Sequence, residues 1–130
     1  MDNKFVFFET GNFEAYTFCP LSIYDNIKTD YFLVGGFNKI KEKGEIKLYK
    51  YEKNINDIKF VSDFVIDKDK NNNFKGFNGI IKCMIQTKDE KIIATCSNGN
   101  VYLLSEPNLE FDENIKNKKN KDVILKVLKN

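Results

Sequence analysis

The chain has 130 residues, 42% apolar and 31% charged, enough for one packed domain and too few for two ordinary ones. All 21 basic residues are lysine and histidine is absent, which excludes Ser-His-Asp and Cys-His catalysis, imidazole ligation of zinc, and the bidentate anion fork of arginine. The formal charge of +2 divides unevenly: residues 116–130 carry six lysines against Asp122, leaving 15 lysines and 18 acids in the first 115 residues.

Lysine, asparagine, isoleucine and phenylalanine share AT-rich codons, so their abundance reads as an AT-rich genome before it reads as function. No apolar run approaches the roughly 18 residues that cross a membrane. The start, Met1-Asp2-Asn3-Lys4, has no basic region followed by a long apolar stretch, so no secretory signal is expected. Three widely spaced cysteines, Cys19, Cys83 and Cys96, suit a reducing compartment, and an intracellular, cytoplasmic protein is the expectation.

In chain order, Phe5-Val6-Phe7-Phe8 is a short apolar run ending at the turn Thr10-Gly11-Asn12. Residues 13–19 form a strand expected to stop at Pro20, and residues 22–30 read as a loop, although Ile23 and Ile27 would also suit a short helical turn. Tyr31-Phe32-Leu33-Val34 is apolar throughout, as in a strand buried on both faces, and is expected to end at Gly35-Gly36. Residues 45–51 alternate, with Ile46 and Leu48 on one side. Residues 58–67 alternate too, with Ile58, Phe60, Phe64 and Ile66 on one face. A charged, asparagine-rich connector follows at 67–73.

Three more strands are expected at 80–85, 91–96 and 100–104, joined by Thr87-Lys88-Asp89-Glu90 and Ser97-Asn98-Gly99. Asn98-Gly99 predicts a two-residue hairpin turn of type I′, in which both central residues take positive φ. Residues 112–121 read as a basic linker. Residues 123–128 fit either a strand or a short helix.

Two segments repeat one order. Phe32-Leu33-Val34-Gly35-Gly36 aligns with Ile92-Ile93-Ala94-Thr95-Cys96 at an offset of 60. Gly44-Glu45-Ile46-Lys47-Leu48-Tyr49 aligns with Gly99-Asn100-Val101-Tyr102-Leu103-Leu104 at an offset of 55. The difference places five extra residues in the 37–43 loop, where insertions cost little.

Strand, polar turn, strand, glycine turn, strand is a cadence that resembles a WD-repeat propeller blade. Residues 74–81 resemble the entry to that family's innermost strand, and 92–104 its middle hairpin. The family's Gly-His pair stands here as Gly76-Phe77, and its Trp-Asp pair as Leu104-Ser105 and Tyr49-Lys50, so its usual hydrogen-bond fastening cannot form. The resemblance implies an all-β fold of antiparallel three- to four-stranded sheets arranged as propeller-like blades in an incomplete ring. It divides the chain into a blade region, 1–111, with units at about 13–67 and 74–111, and a terminal segment, 112–130. About two blades cannot close a ring of roughly 4–8. The chain is therefore expected to be a fragment of a longer propeller, to self-associate, or to need further blades.

By function, the resemblance implies a non-catalytic protein-interaction or scaffold module; a structural subunit that completes its sheets inside a larger complex is the alternative. The expected partner is a protein, contacted through Phe37, Lys39, Lys41, Lys43, Phe74, Phe77 and Asn98 on one rim. No cofactor, metal or small-molecule substrate is expected. Gly35-Gly36 to Gly44 lacks the Gly-Lys-Ser/Thr ending of a phosphate loop, and 67–73 lacks the glycine and terminal glutamate of a calcium loop. Interleaved acids argue against nucleic acid.

Overall fold

A computed structural model of the chain describes residues 12–23, 27–63, 76–105 and 124–127. These residues are all-β and form two four-stranded antiparallel meanders. The first contains β1 (Phe13–Ile23), β2 (Ile27–Asn38), β3 (Lys43–Glu52) and β4 (Asp57–Asp63). The second contains β5 (Ile81–Gln86), β6 (Ile92–Cys96), β7 (Val101–Leu104) and β8 (Ile124–Val127). Each sheet keeps its strands in chain order, so neither closes into a barrel. The first strands of the two sheets lie together, β5 against β1 and, less extensively, β2 and β3. This arrangement is compatible with adjacent blades of an incomplete propeller.

Pairing shows how alike the sheets are. Add 66 to a β1 position, 60 to β2, 55 to β3 and 64 to β4, and every pair of the second sheet is reproduced by a pair of the first. Phe18↔Val34 becomes Met84↔Ala94, Leu33↔Leu48 becomes Ile93↔Leu103, and Lys47↔Asp63 becomes Tyr102↔Val127. Bulges coincide as well. Tyr16 and Lys82 are the extra residues in β1 and β5, Val61 and Leu125 in β4 and β8. A bulge bends its strand and raises the local twist, so matching bulges give matching curvature.

The two sheets bury opposite faces of that shared pattern. Cys19, Leu21, Leu33, Ile46 and Leu48 of the first sheet pack on Ile81, Met84, Ile92, Ala94, Cys96, Tyr102 and Leu104 of the second. Full burial of the leucine, isoleucine and methionine side chains among them stabilises by roughly 1.5–3 kcal/mol each. Gly35 lets the sheets approach: a Cβ there would stand 2.6 Å from the Ile81 Cγ2. At one end Ser22 N–H donates to Gln86 Oε1 at 2.8 Å, and Gln86 Nε2 donates back to the Ser22 carbonyl at 3.0 Å. At the other end Gly44 and Phe77 exchange two backbone bonds of 2.8 and 2.9 Å. Phe77 thereby enters the core, 1% exposed and edge-on to Tyr102 with ring centroids 5.0 Å apart.

Several boundaries differ from those expected. β1 runs through Pro20 to Ile23, because β1 is the edge of its sheet and a missing N–H on the open side breaks no ladder bond. The loop expected at 22–30 shrinks accordingly, since β2 begins at Ile27. β2 also continues through Gly35-Gly36 to Asn38. A Cβ on Gly36 would stand 1.9 Å from the Glu14 carbonyl oxygen, so the glycine serves a close strand approach and not a strand end.

The Asn98-Gly99 turn is not type I′. Gly99 has φ +92° while Asn98 is absent from the positive-φ positions, and Gly99 N–H bonds the Cys96 carbonyl at 3.1 Å. With Cys96 N–H on the Asn100 carbonyl at 3.0 Å, this is a three-residue hairpin loop with a glycine bulge. The 87–91 turn repeats the pattern with Glu90, φ +67°, in glycine's place. Residues 124–127, open between strand and helix in the sequence, are a strand in the second sheet. Phe64 and Ile66 lie outside the described residues.

Replacing Gly44 tests the bridge. A Cβ there would stand 2.1 Å from the Gly79 carbonyl oxygen, and backbone cannot rotate away as a side chain can. Gly44→Ala is expected to lower stability by about 2–4 kcal/mol, read by denaturant unfolding. A second test concerns Cys19, whose thiol is pushed up to about 11 by burial and then by the charge of Cys83. Because the unfolded thiol ionises near 9.0 and the folded one later, its contribution is complete below pH 9 and lost as pH rises through about 11. Unfolding free energy should fall across that window, and fall less steeply in Cys19→Ala.

Candidate functional site

Two surfaces of the described residues bring polar chemistry and exposed apolar groups together. The first is the strip of hairpin tips at one end of both sheets. Asn38 builds its first part: its Oδ1 accepts from Ile40 N–H and Lys41 N–H, each at 3.0 Å, closing the tip over Glu42 at φ +56°. Lys39 N–H bonds the Asn12 carbonyl at 2.8 Å. Lys43 Nζ donates to Asn78 Oδ1 at 2.5 Å, which leads from the first sheet to the segment entering the second. From there Ile80 N–H donates to Ser97 Oγ at 2.8 Å, and Ser97 N–H to the Ile80 carbonyl at 2.9 Å. The strip is continuous from Lys39 to Asn98.

The expected contact residues divide along this strip. Lys39, Lys41 and Asn98 are exposed at its tips, and Phe37 and Lys43 are half-buried beside them. Phe77 is not a surface residue; its burial against Tyr102 makes it a core anchor. Phe74 lies outside the described residues. The lysines are held by acids: Lys39 pairs with Glu14 at 3.2 Å, and Lys41 with Glu45 at 3.6 Å. Asn98 supports its own tip, accepting from Asn100 N–H at 2.9 Å and donating to the Tyr102 hydroxyl at 3.3 Å.

The second surface was not legible as a site in the sequence. On the outer face of the first sheet, Phe13, Lys47, Tyr49, Ile58 and Phe60 line an open cleft of about 450 Å³. Lys47 lies at its centre, 5.2 Å from the Phe13 ring and 5.6 Å from that of Phe60. It donates to Asp63 at 2.9 Å and reaches Glu45 at 3.4 Å. Glu45, 2% exposed, also accepts from Asn38 Nδ2 at 3.3 Å. Burial pulls Lys47 down, but the bond and charge of Asp63, with Glu45, outweigh it and hold its pKa above the ordinary lysine value. Burial pushes the Tyr49 hydroxyl up. A firmly protonated lysine satisfied by two acids is poor at capturing an anion or serving as a base; its stem and the surrounding rings offer an apolar, aromatic surface.

Among the described residues, no group of three or more Cys, Asp or Glu side chains could hold a metal ion. All three cysteines are free thiols, Cys83 exposed and the other two buried. No helix among the described residues is long and apolar enough to cross a membrane. No family model matches the chain, and comparison with curated proteins and with solved structures gives no match.

The Glu45–Lys47–Asp63 cluster yields a prediction. Lys47→Met leaves Glu45 buried with the longer Lys41 contact, and stability should fall by about 2–3 kcal/mol. Adding Glu45→Gln removes the stranded charge and should restore about half of that loss. Equilibrium unfolding of both variants checks the order; equal stability of Lys47→Met and the parent would show that the cluster is only a solvated surface pair.

Proposed function

We propose that the chain is a non-catalytic protein-interaction or scaffold module built from two copies of one propeller-like, WD-repeat-like blade. The observation that carries this reading is the shared pairing diagram: four offsets reproduce every pair of the second sheet, bulges included. Unrelated meanders have no reason to bulge at equivalent residues. Repeated units of this kind commonly offer their loops as one contact edge, and the hairpin-tip strip has that form.

Exposed Lys39, Lys41 and Asn98 are the proposed contacts, flanked by Phe37 and Lys43. The partner is a protein, and no cofactor, small-molecule substrate or nucleic acid enters the proposal. Three free thiols, one exposed, support an intracellular, cytoplasmic setting. A second reading, a structural subunit that completes its sheets inside a larger assembly, is favoured by Ile85, 55% exposed on the outer face of the second sheet.

The test is quantitative co-purification from the source cells with the parent chain and with Lys39→Glu/Lys41→Glu. A protein recovered with the parent should fall at least fivefold with the variant; because Lys41 also pairs with buried Glu45, far-ultraviolet circular dichroism should first show that the variant is folded. Equal recovery would remove the strip from the proposal. Turnover by the purified chain that survives replacement of all three cysteines would overturn its non-catalytic part.

A further inference from the structure

The position-by-position correspondence of the sheets shows what each outer face resembles. The first sheet's inner face carries Cys19, Leu33, Ile46 and Leu48, all covered by the second sheet. The corresponding positions in the second sheet are Ile85, Ile93, Val101 and Leu103. These four are apolar as well, yet they point away from the core: Ile85 is 55% exposed and the others are half-buried. Ile85, Ile93 and Leu103 are direct cross-strand neighbours and form one row. The second sheet thus repeats, on its open side, the apolar face by which the first sheet receives its neighbour.

The converse holds for the first sheet at most positions; the exception is Tyr102 of the docking face, whose counterpart is Lys47, paired with Asp63 and Glu45. Met84, Ile92, Ala94 and Leu104, which dock on the first sheet, correspond to Phe18, Phe32, Val34 and Tyr49 on the first sheet's outer face. That face continues to Phe60, 54% exposed and edge-on to Tyr49 at 5.8 Å. The contact between the sheets is heterologous, one kind of face meeting another, and each chain carries both kinds facing outward.

We infer that a second copy of this chain docks on the outer face of the second sheet with the outer face of its own first sheet, continuing the internal contact between molecules. The inference rests on the two-copy reading proposed above. A heterologous contact gives a ring if its rotation closes and an open chain if it does not. With two sheets per molecule, two to four copies would span the roughly 4–8 blades of closed propellers. Ile85, Ile93 and Leu103 are the receiving residues, and Phe60 is the exposed part of the entering face.

Sedimentation velocity of the full chain over a wide concentration range should show reversible association. Ile85→Lys spoils the receiving face and Phe60→Lys the entering face, both at half-exposed positions. Each variant alone should be monomeric, with an apparent Kd raised at least tenfold. Mixing them should restore one discrete 1:1 dimer, because one partner keeps an intact receiving face and the other an intact entering face. Exposed Cys83, on the receiving face beside Thr95 and Val101, should react more slowly with a thiol reagent in the parent at high concentration.

Should either variant unfold, Val101→Lys and Ile58→Lys replace them at the same two faces. A parent that stays monomeric to its solubility limit overturns the inference, as does a mixture of folded variants that fails to associate. Association of each variant with itself would indicate like-on-like pairing and overturn it too. None of these outcomes touches the partner test at Lys39 and Lys41, so the two readings fail separately.

Discussion

The two-bond bridge between Gly44 and Phe77 determines how the halves of this molecule meet. Beyond Lys47↔Asp63, the last described pair of β3 with β4, β3 bonds at Gly44 to the segment that leads into β5. Gly44 permits this because the Gly79 carbonyl occupies the space a side chain would need. Once the segment is bonded there, Phe77 is placed beneath the hairpin of the second sheet. Tyr102 closes over it, and the Tyr102 hydroxyl is held by Asn98 and Asn100 at the tip. Backbone pairing, core packing and tip geometry are consequences of one close approach. The Ser22–Gln86 pair closes the opposite end, so the second sheet is tied to the first through β3 at one limit and β1 at the other.

The parts legible in the sequence were those carried by local alternation. Offsets of 60 and 55 could be read from β2/β6 and β3/β7 because glycines and apolar residues recur at matching places, and the pairing follows those offsets. The β1/β5 offset of 66 was hidden. Bulges at Tyr16 and Lys82 break the two-residue period, and Pro20 suggested an end where an edge strand continues. Gly35-Gly36 misled for a related reason: glycine marks both turns and close backbone approaches, and only the neighbouring strand distinguishes them. Asn98-Gly99 located a hairpin correctly, but the loop has three residues and needs positive φ only at Gly99. The tip residues were legible from their turn chemistry. The cleft around Lys47 was not, since it joins residues from β1, β3 and β4 that no sequence spacing relates.

The sheets differ most where their surroundings differ. Lys47 corresponds to Tyr102, and the residues paired with them are Asp63 and Val127. At the outer face of the first sheet this position holds an ammonium group satisfied by Asp63 and Glu45. At the inner face of the second it holds an aromatic ring against Phe77. A partly buried charge is tolerable where water reaches its partners and costly inside an apolar interface. Within one molecule the exchange of residue type follows from which face is covered; in the contact inferred between copies, Lys47 would enter already paired with Asp63 and Glu45.

That rule makes the other outer positions informative. If coverage alone decided residue type, the open face of the second sheet would carry polar groups where the first sheet's covered face carries apolar ones. One place follows it when the β1 offset is carried one residue past the last shared pair: Leu21, 3% exposed, then meets Thr87 just beyond the end of β5. Leu33, Ile46 and Leu48 do not, because Ile93, Val101 and Leu103 keep aliphatic side chains at their places. Strand propensity contributes to this, since β-branched residues suit a pleated surface whether or not it is covered. It does not account for Leu103, or for three aliphatic side chains meeting in one cross-strand row while exposed Lys82 shows that β5 accepts charge nearby. A row that is apolar, only half covered and positionally equal to an existing docking face has the composition of an interface.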